Sequence, residues 1–196
     1  MSKSFRVLCV SDLHGLSRSL QSIDHALEHH KPDLVLIAGD IAEKRADSVS
    51  YLNSLLSIIK KKHRTQVFAV HGNSDSPDIF DLLEATGISL HLQVREFGGY
   101  NFSGIGGLGD LTEPVLDEQQ ALRFNPANTV FVTHMPPRRL PNLTRNLPLV
   151  HVCGHTHSTE RLETLNGVPI IRLKTAMLGR GAILELPSMQ VKFVDL

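Results

Sequence analysis

Cysteine is scarce in this chain. Only Cys9 and Cys153 occur, far apart, outside any Cys-x-x-Cys pair and each inside an apolar run, "RVLCV" and "LVHVC". Their placement argues against a thiolate-rich metal site and reads both as small buried hydrophobes in a reducing compartment. An excess of charge of one sign is missing too. Lys and Arg number 20, as do Asp and Glu, so the net charge is zero with His neutral. No global basic field draws the chain to nucleic acid, which is not expected as a partner, although a local patch stays open. Long hydrophobic runs are absent as well. The apolar segment of the N-terminal "MSKSFRVLCVSDLHG" is too short for a signal peptide or a membrane span, and no small-residue cleavage pattern follows it. A cytoplasmic location without a membrane partner is the expectation. There is no internal repeat and no low-complexity segment. What remains is 196 residues, 41% of them hydrophobic, enough for one domain with a sizeable core over 1–196.

Histidine, by contrast, is plentiful, with eleven in the chain. Clustered His points to metal, and spacing has to decide. The front half alternates between short apolar runs and helical patterns. Residues 5–11, 33–38 and 66–70 read as strands buried on both faces. Leu16, Leu20, Ile23 and Leu27 recur at helical spacing before Pro32. Val49, Leu52, Leu55, Leu56 and Ile59 do so after Asp47, a candidate N-cap. Ser76, Pro77 and Gly87 supply the cap, first position and end of a third helix. Strand-helix repetition predicts right-handed crossovers and a mostly parallel sheet. The back half changes character. Residues 88–105 read as short strands turning at 98–99, residues 129–133 and 149–153 as strands, and two hairpins centre on Asn166-Gly167 and Pro187-Ser188. This back half is expected to be antiparallel, and the sum is α/β, two sheets packed together with helices outside.

The strands share one peculiarity: each empties into polar residues. "SDLHG" brings Asp12 and His14, "GD" brings Asp40, and "GNSD" brings Asn73, Ser74 and Asp75. "THMPP" brings His134, and "CGHTHS" brings His155 and His157. In open α/β sheets ligands bind outside the carboxyl ends of strands, so five exits can converge on one site. Asp-x-His and His-x-His would place two donors on the same side of an extended segment. Oxygen and imidazole donors without thiolate suit Mn²⁺, Fe, Zn²⁺, Co²⁺ or Ni²⁺. The seven donors other than Ser74 and Asp75 exceed what one ion takes from protein, whereas two ions sharing a carboxylate account for them. Gly39, Gly72 and Gly154 precede donors, where backbone has to approach the site closely.

The ordered set Asp12-x-His14, Gly39-Asp40, Gly72-Asn73-x-Asp75, His134 and Gly154-His155-x-His157 resembles the calcineurin-like metallophosphoesterases, and the length resembles their small prokaryotic phosphodiesterases. The resemblance implies a four-layer α/β/β/α sandwich of two mixed β-sheets flanked by helices. It implies one metal on Asp12, His14, Asp40 and His157, and a second on Asp40, Asn73, His134 and His155. The ions would be divalent, with manganese the first expectation. A hydroxide between them would attack a phosphoester or phosphodiester. Asn73, Ser74 and Asp75 form the catalytic loop by the same resemblance, Asp75 holding the loop or an imidazole in place. Ser74 departs from the family, which commonly has His there to assist the leaving oxygen. Serine is no general acid near neutral pH, a contribution worth about 10²–10⁴-fold when well placed. Good leaving groups are therefore favoured. The helix opening at Pro77 would turn its positive end toward an anion.

The remaining motifs are read more plainly. His25, His29, His30, His63 and His91 are expected at the surface or at element ends, and His151 as a satisfied structural group. His71 adjoins the site without being a ligand. "GIGGLGD", 104–110, fits Gly-x-Gly-x-x-Gly, but Pro114 follows where a dinucleotide fold needs a helix, so it reads as a loop walling the substrate. Arg138, Arg139 and Arg145 occupy a Pro-rich loop, and Arg138 is the candidate to clamp a phosphate oxygen. A scaffold that kept the fold and lost the chemistry is the competing reading, to be separated by metal content. A nuclease would call for a basic groove. Homo-oligomerisation stays open.

Overall fold

The computed structural model describes residues 4–44, 47–107, 128–137 and 148–196. β1 (Phe5–Val10), β2 (Leu34–Ala38) and β3 (Gln66–Val70) are joined through α1 (Ser17–His30) and α2 (Ser48–Leu56), and α3 (Pro77–Ala85) follows β3. β4 (Val94–Phe97), β5 (Tyr100–Ile105), β6 (Thr129–Thr133), β7 (Val150–Cys153), β8 (Arg161–Leu165), β9 (Val168–Arg172), β10 (Arg180–Leu186) and β11 (Gln190–Asp195) complete the order. They form two mixed sheets, β11-β10-β1-β2-β3 and β4-β5-β6-β7-β9-β8. The chain is thus an α/β protein of two sheets flanked by helices.

Alternation of side chains explains the layering. Leu8, Val10, Val35, Ile37, Val67 and Ala69 face one way and bury against Ile23, Leu27, Leu52, Leu55, Ile79 and Leu83 of the three helices. Val7, Cys9, Leu34, Leu36, Phe68 and Val70 face the other way and meet Phe102, Val130, Val132, Val150, Val152 and Ile171 of the second sheet. Each fully buried aliphatic side chain contributes roughly 1.5–3 kcal/mol, so the first sheet, buried on both faces, anchors the fold. Among the described residues no helix lies against the far face of the second sheet.

The helix boundaries follow their signals. α1 ends with Lys31 in a left-handed conformation, its N–H bonded to Leu27 O, immediately before Pro32. α3 opens with Ser76 and Pro77, and Gly87 follows its end at φ +69°. α2 corrects the expected stripe: Tyr51 is buried and Val49 is exposed. Past Leu56 the helix continues as π-helical turns over Ser57–Lys62, bringing Ile59 into the core.

The back half is not antiparallel throughout. The hairpins β4–β5, β8–β9 and β10–β11 are, but β5, β6, β7 and β9 pair in parallel. β10 leaves them and joins β1 in the first sheet. Parallel pairing is what brings the ends of β6 and β7 to one rim.

Candidate metal centre

At that rim the loops are laced together. Asp12 N–H donates to Gly39 O at 3.0 Å, and Leu13 and His14 N–H donate to Asp40 O at 2.9 and 3.0 Å, so the exits of β1 and β2 form one unit. The second sheet ties in through His155 N–H, which donates to Asp12 Oδ2 at 3.1 Å, and through His134 Nδ1, 2.8 Å from Ala38 O. Thr175 closes the back: its hydroxyl donates to Asp12 O at 2.7 Å and its N–H to His157 O at 3.2 Å.

The means of convergence corrects one expectation. Asp12, His14, Asp40, His155 and His157 all have positive φ, between 46° and 69°. They sit on left-handed turns, and extended alternation does not place them. This conformation costs about 1–2 kcal/mol for a residue with a Cβ, and Asp and His are among the side chains that tolerate it best. The turns fold both donors of each x-separated pair back over the strand ends.

Four of the expected donors, Asp12, His14, Asp40 and His157, have ligand atoms within 4.8 Å of one another. His14 Nε2 lies 3.2 Å from His157 Nε2 and 3.7 Å from Asp40 Oδ2, and His157 Nε2 lies 3.1 Å from Asp12 Oδ1. Asp12, His14 and Asp40 are buried, while 43% of the His157 side chain is exposed. His134 Nε2 approaches the same Asp40 oxygen, 3.4 Å from Oδ2, and lies 3.3 Å from His155 Nδ1.

These groups fit a cation. A carbonyl oxygen only accepts, so His134 Nδ1 carries a proton toward Ala38 and its Nε2 is free to present a lone pair to Asp40. Two lone pairs attract only when a proton or a metal ion lies between them. Asn73 Nδ2 donates to Ser74 Oγ, and Asn73 Oδ1 is buried with no hydrogen-bond partner; Asp12 Oδ1 is buried and accepts no hydrogen bond, with the ring nitrogen of His157 beside it at 3.1 Å. A buried acceptor left unpaired costs about 1–3 kcal/mol, which a bound cation would offset. Burial by itself would raise the Asp40 carboxyl, but His134 and the bonds from Ser74 outweigh it and hold the pKa at about 2. Burial acts to lower the His134 pKa, and Asp40 and Asp12 more than reverse that, lifting it above the usual value.

The loop "GNSD" is fixed by Asp75, which accepts from Gly72 N–H at 2.7 Å, Ala42 N–H at 2.8 Å and Ile41 N–H at 3.2 Å. Burial raises the Asp75 pKa against those three bonds. Two of the glycines that precede donors leave no room for a side chain. A Cβ on Gly72 would strike Asp40 Oδ1, and one on Gly154 would strike Ser11 Oγ. Arg138, Arg139 and Arg145 lie outside the described residues, as do residues 108–110 of the Gly-rich motif.

Sequence reasoning missed Thr175 and Ser11, whose hydroxyls hold the backbone beneath Asp12 and Ala38. Nothing in their spacing marks them. His91, expected at the surface or an element end, instead walls a cavity beside the loop with His71 and Phe80. Away from the rim, Asp24, Glu28 and His63 also cluster, with Lys62 paired to both carboxylates and His63 to Asp24.

The profile of the calcineurin-like phosphoesterase family matches residues 5–159. No curated protein matches this chain. Among solved structures, TT1561 of Thermus thermophilus is 17% identical with a TM-score of 0.77, covering 98% of this chain and 99% of that one. A dimetal phosphatase from Danio rerio is 14% identical with a TM-score of 0.64, over 97% of this chain and 98% of that one. A novel archaeal phosphodiesterase is 14% identical with a TM-score of 0.61, over 97% and 99%. At such identities the likeness is one of fold, and it extends over the whole length. Taken with the family match over most of its residues, it means that this chain belongs to the calcineurin-like phosphoesterases.

Proposed function

We propose that this chain is a dinuclear, divalent-metal-dependent phosphoester hydrolase, acting on phosphodiesters in preference to monoesters. The reading treats 1–196 as a single metallophosphoesterase domain working in the cytoplasm. Asp12, His14, Asp40 and His157 would hold one ion, and Asp40, Asn73, His134 and His155 the other. Manganese heads the candidates, with Fe, Zn, Co and Ni as alternatives suited to the same donors. The observation that carries the reading is the position of Asp40, whose Oδ2 lies 3.7 Å from His14 Nε2 and 3.4 Å from His134 Nε2.

Ions bound there would supply an activated water and neutralise charge on the phosphoryl oxygens. The side chains do the rest. Asp75 and Thr175 hold the backbone of the donor loops, so the site is organised before substrate arrives. Ser74 spends its hydroxyl proton on Asp40 and offers no general acid to the leaving oxygen. Substrates with good leaving groups, or with a proton donor of their own, suit such a site. Arg138 is the proposed clamp on a phosphate oxygen.

Hydrolysis of bis(p-nitrophenyl) phosphate with added Mn²⁺ tests the reading. Activity is expected in the parent chain and is expected to vanish in Asp40→Ala and Asn73→Ala while the circular dichroism of both stays native. A chain inactive across all five metals and a panel of model esters would overturn it.

A further inference from the structure

The first wall of a second site stands two residues before Asn73. His71, Phe80 and His91 form a triangle of rings with centroids 4.9–5.6 Å apart, each pair edge to face. With Pro77, Asp75 and Lys44 they line a cavity of about 270 Å³. That is near the lower end of small-molecule sites, room for one ring system. The Gly-rich segment after β5 backs it. Gly106 packs against the His71 ring so closely that a Cβ would enter it, and Gly107 N–H donates to His71 O at 3.0 Å.

The same segment fixes the chemistry of His91. Gly106 N–H donates to His91 Nδ1 at 2.9 Å, so that nitrogen carries no proton. The ring is neutral and its proton is on Nε2. Burial, which lowers the His91 pKa, favours the same form. The cavity therefore offers aromatic faces and edges and the N–H of the neutral His91 ring, with Lys44 also in its wall. Consecutive Cα atoms are 3.8 Å apart, so both His71 and Asp75 lie within about 7.6 Å of Asn73, Cα to Cα. A phosphoester held at Asn73 could reach the cavity with a group joined to it through a sugar-sized spacer.

We propose that this cavity seats a planar heteroaromatic ring of the substrate, of the nucleobase kind, with an acceptor for His91. The proposal rests on the phosphoesterase reading and narrows it to substrates that carry such a ring. Edge or offset-face contact with Phe80 supplies affinity, because aromatic pairs in these geometries contribute beyond the area they bury. The His91 N–H supplies the preference for a ring that can accept a hydrogen bond.

Isothermal titration calorimetry on the full, Mn²⁺-loaded chain tests it with AMP, ribose 5-phosphate and phenyl phosphate as probes. AMP is expected to bind at least tenfold more tightly than ribose 5-phosphate. Phe80→Leu, at a half-buried position where the core is not at stake, is expected to erase most of that difference and leave ribose 5-phosphate unchanged. His91→Ala is expected to weaken AMP and spare phenyl phosphate. Equal binding of AMP and ribose 5-phosphate, undetectable binding of AMP, or indifference of AMP to both substitutions would overturn the proposal. Phenyl phosphate binding as tightly as AMP would overturn the role of the acceptor. The enzyme reading is judged separately. A chain that hydrolyses bis(p-nitrophenyl) phosphate but binds the two sugar phosphates alike keeps the enzyme and loses the pocket. One that hydrolyses nothing yet keeps the AMP preference loses the enzyme and retains the pocket.

Discussion

Ser74 donates twice to one carboxylate, its backbone N–H to Asp40 Oδ1 at 2.8 Å and its hydroxyl to Asp40 Oδ2 at 3.0 Å. The residue that departs from the common family pattern thus braces the side chain proposed to be shared by two ions. Its hydroxyl also accepts from Asn73 Nδ2 at 3.3 Å, which leaves Asn73 Oδ1 free of partners. Serine here orders donors, where a histidine would have faced the leaving group.

A consequence for kinetics follows from serine at position 74, whose hydroxyl proton is spent on Asp40. A placed general acid is worth about 10²–10⁴-fold. Alkyl phosphodiesters should therefore be hydrolysed slower than p-nitrophenyl phosphodiesters by at least that order. Measuring kcat/KM along a series of leaving groups checks this: a steep fall with rising leaving-group pKa is expected, and a flat profile would speak for a proton donor elsewhere.

The two glycines Gly72 and Gly87 separate packing from backbone freedom. Gly72 has no room for a Cβ beside Asp40, whereas Gly87 faces open space at φ +69°. Gly72→Ala is expected to destabilise the chain by about 1–3 kcal/mol, as overpacking does, and to displace Asp40. Gly87→Ala should cost about 1–2 kcal/mol for its left-handed backbone alone and keep full activity. Urea denaturation and one activity assay distinguish them. Equal loss of activity in both would contradict the geometry.

His151 makes stability depend on pH. Its Nε2 lies 2.7 Å from Thr133 Oγ1, whose own proton goes to Met135 O, so Nε2 donates, and its buried Nδ1 has no acceptor for the second proton of a charged ring. Burial, with a smaller effect of Arg172, holds its pKa down to about 3. As pH falls below 6.5 the unfolded chain takes up a proton that the native His151 refuses, so stability drops through the window from 6.5 toward 3. Linkage puts the loss between pH 7 and pH 5 at about 2 kcal/mol. His151→Gln, which keeps a donor for Thr133, should lose about that much less over the same interval. Urea midpoints at the two pH values give the difference, and an unchanged pH dependence would rule out a buried neutral ring.

Much of this was legible in the residues. Runs such as "DLVLIA" could only be strands buried on both faces, and Asn166-Gly167 could only turn a hairpin. The donors were legible because each follows a strand abruptly, and Asp40, His134 and their neighbours do gather where the strands end. What could not be read was the local path. Period-two alternation suggested extended Asp-x-His and His-x-His, yet both pairs ride on left-handed turns. Those turns are enforced by cross-loop bonds such as His14 N–H to Asp40 O, which no spacing reveals. The parallel pairing of β5, β6 and β7 was hidden for a related reason. A parallel pair depends on what crosses between its strands, and Gly106, Pro114 and the proline-rich stretch after His134 carry no clear periodicity. His91 escaped notice because its meaning lies in one bond, from Gly106 N–H, fifteen residues away.

Metal stoichiometry tests the central claim most directly. Inductively coupled plasma mass spectrometry on chain equilibrated with saturating Mn²⁺ and freed of excess should find two ions per chain in the parent and fewer than one in folded Asp40→Asn. A parent that holds one ion or none, or an Asp40→Asn variant that keeps both, would contradict a pair of cations shared through Asp40.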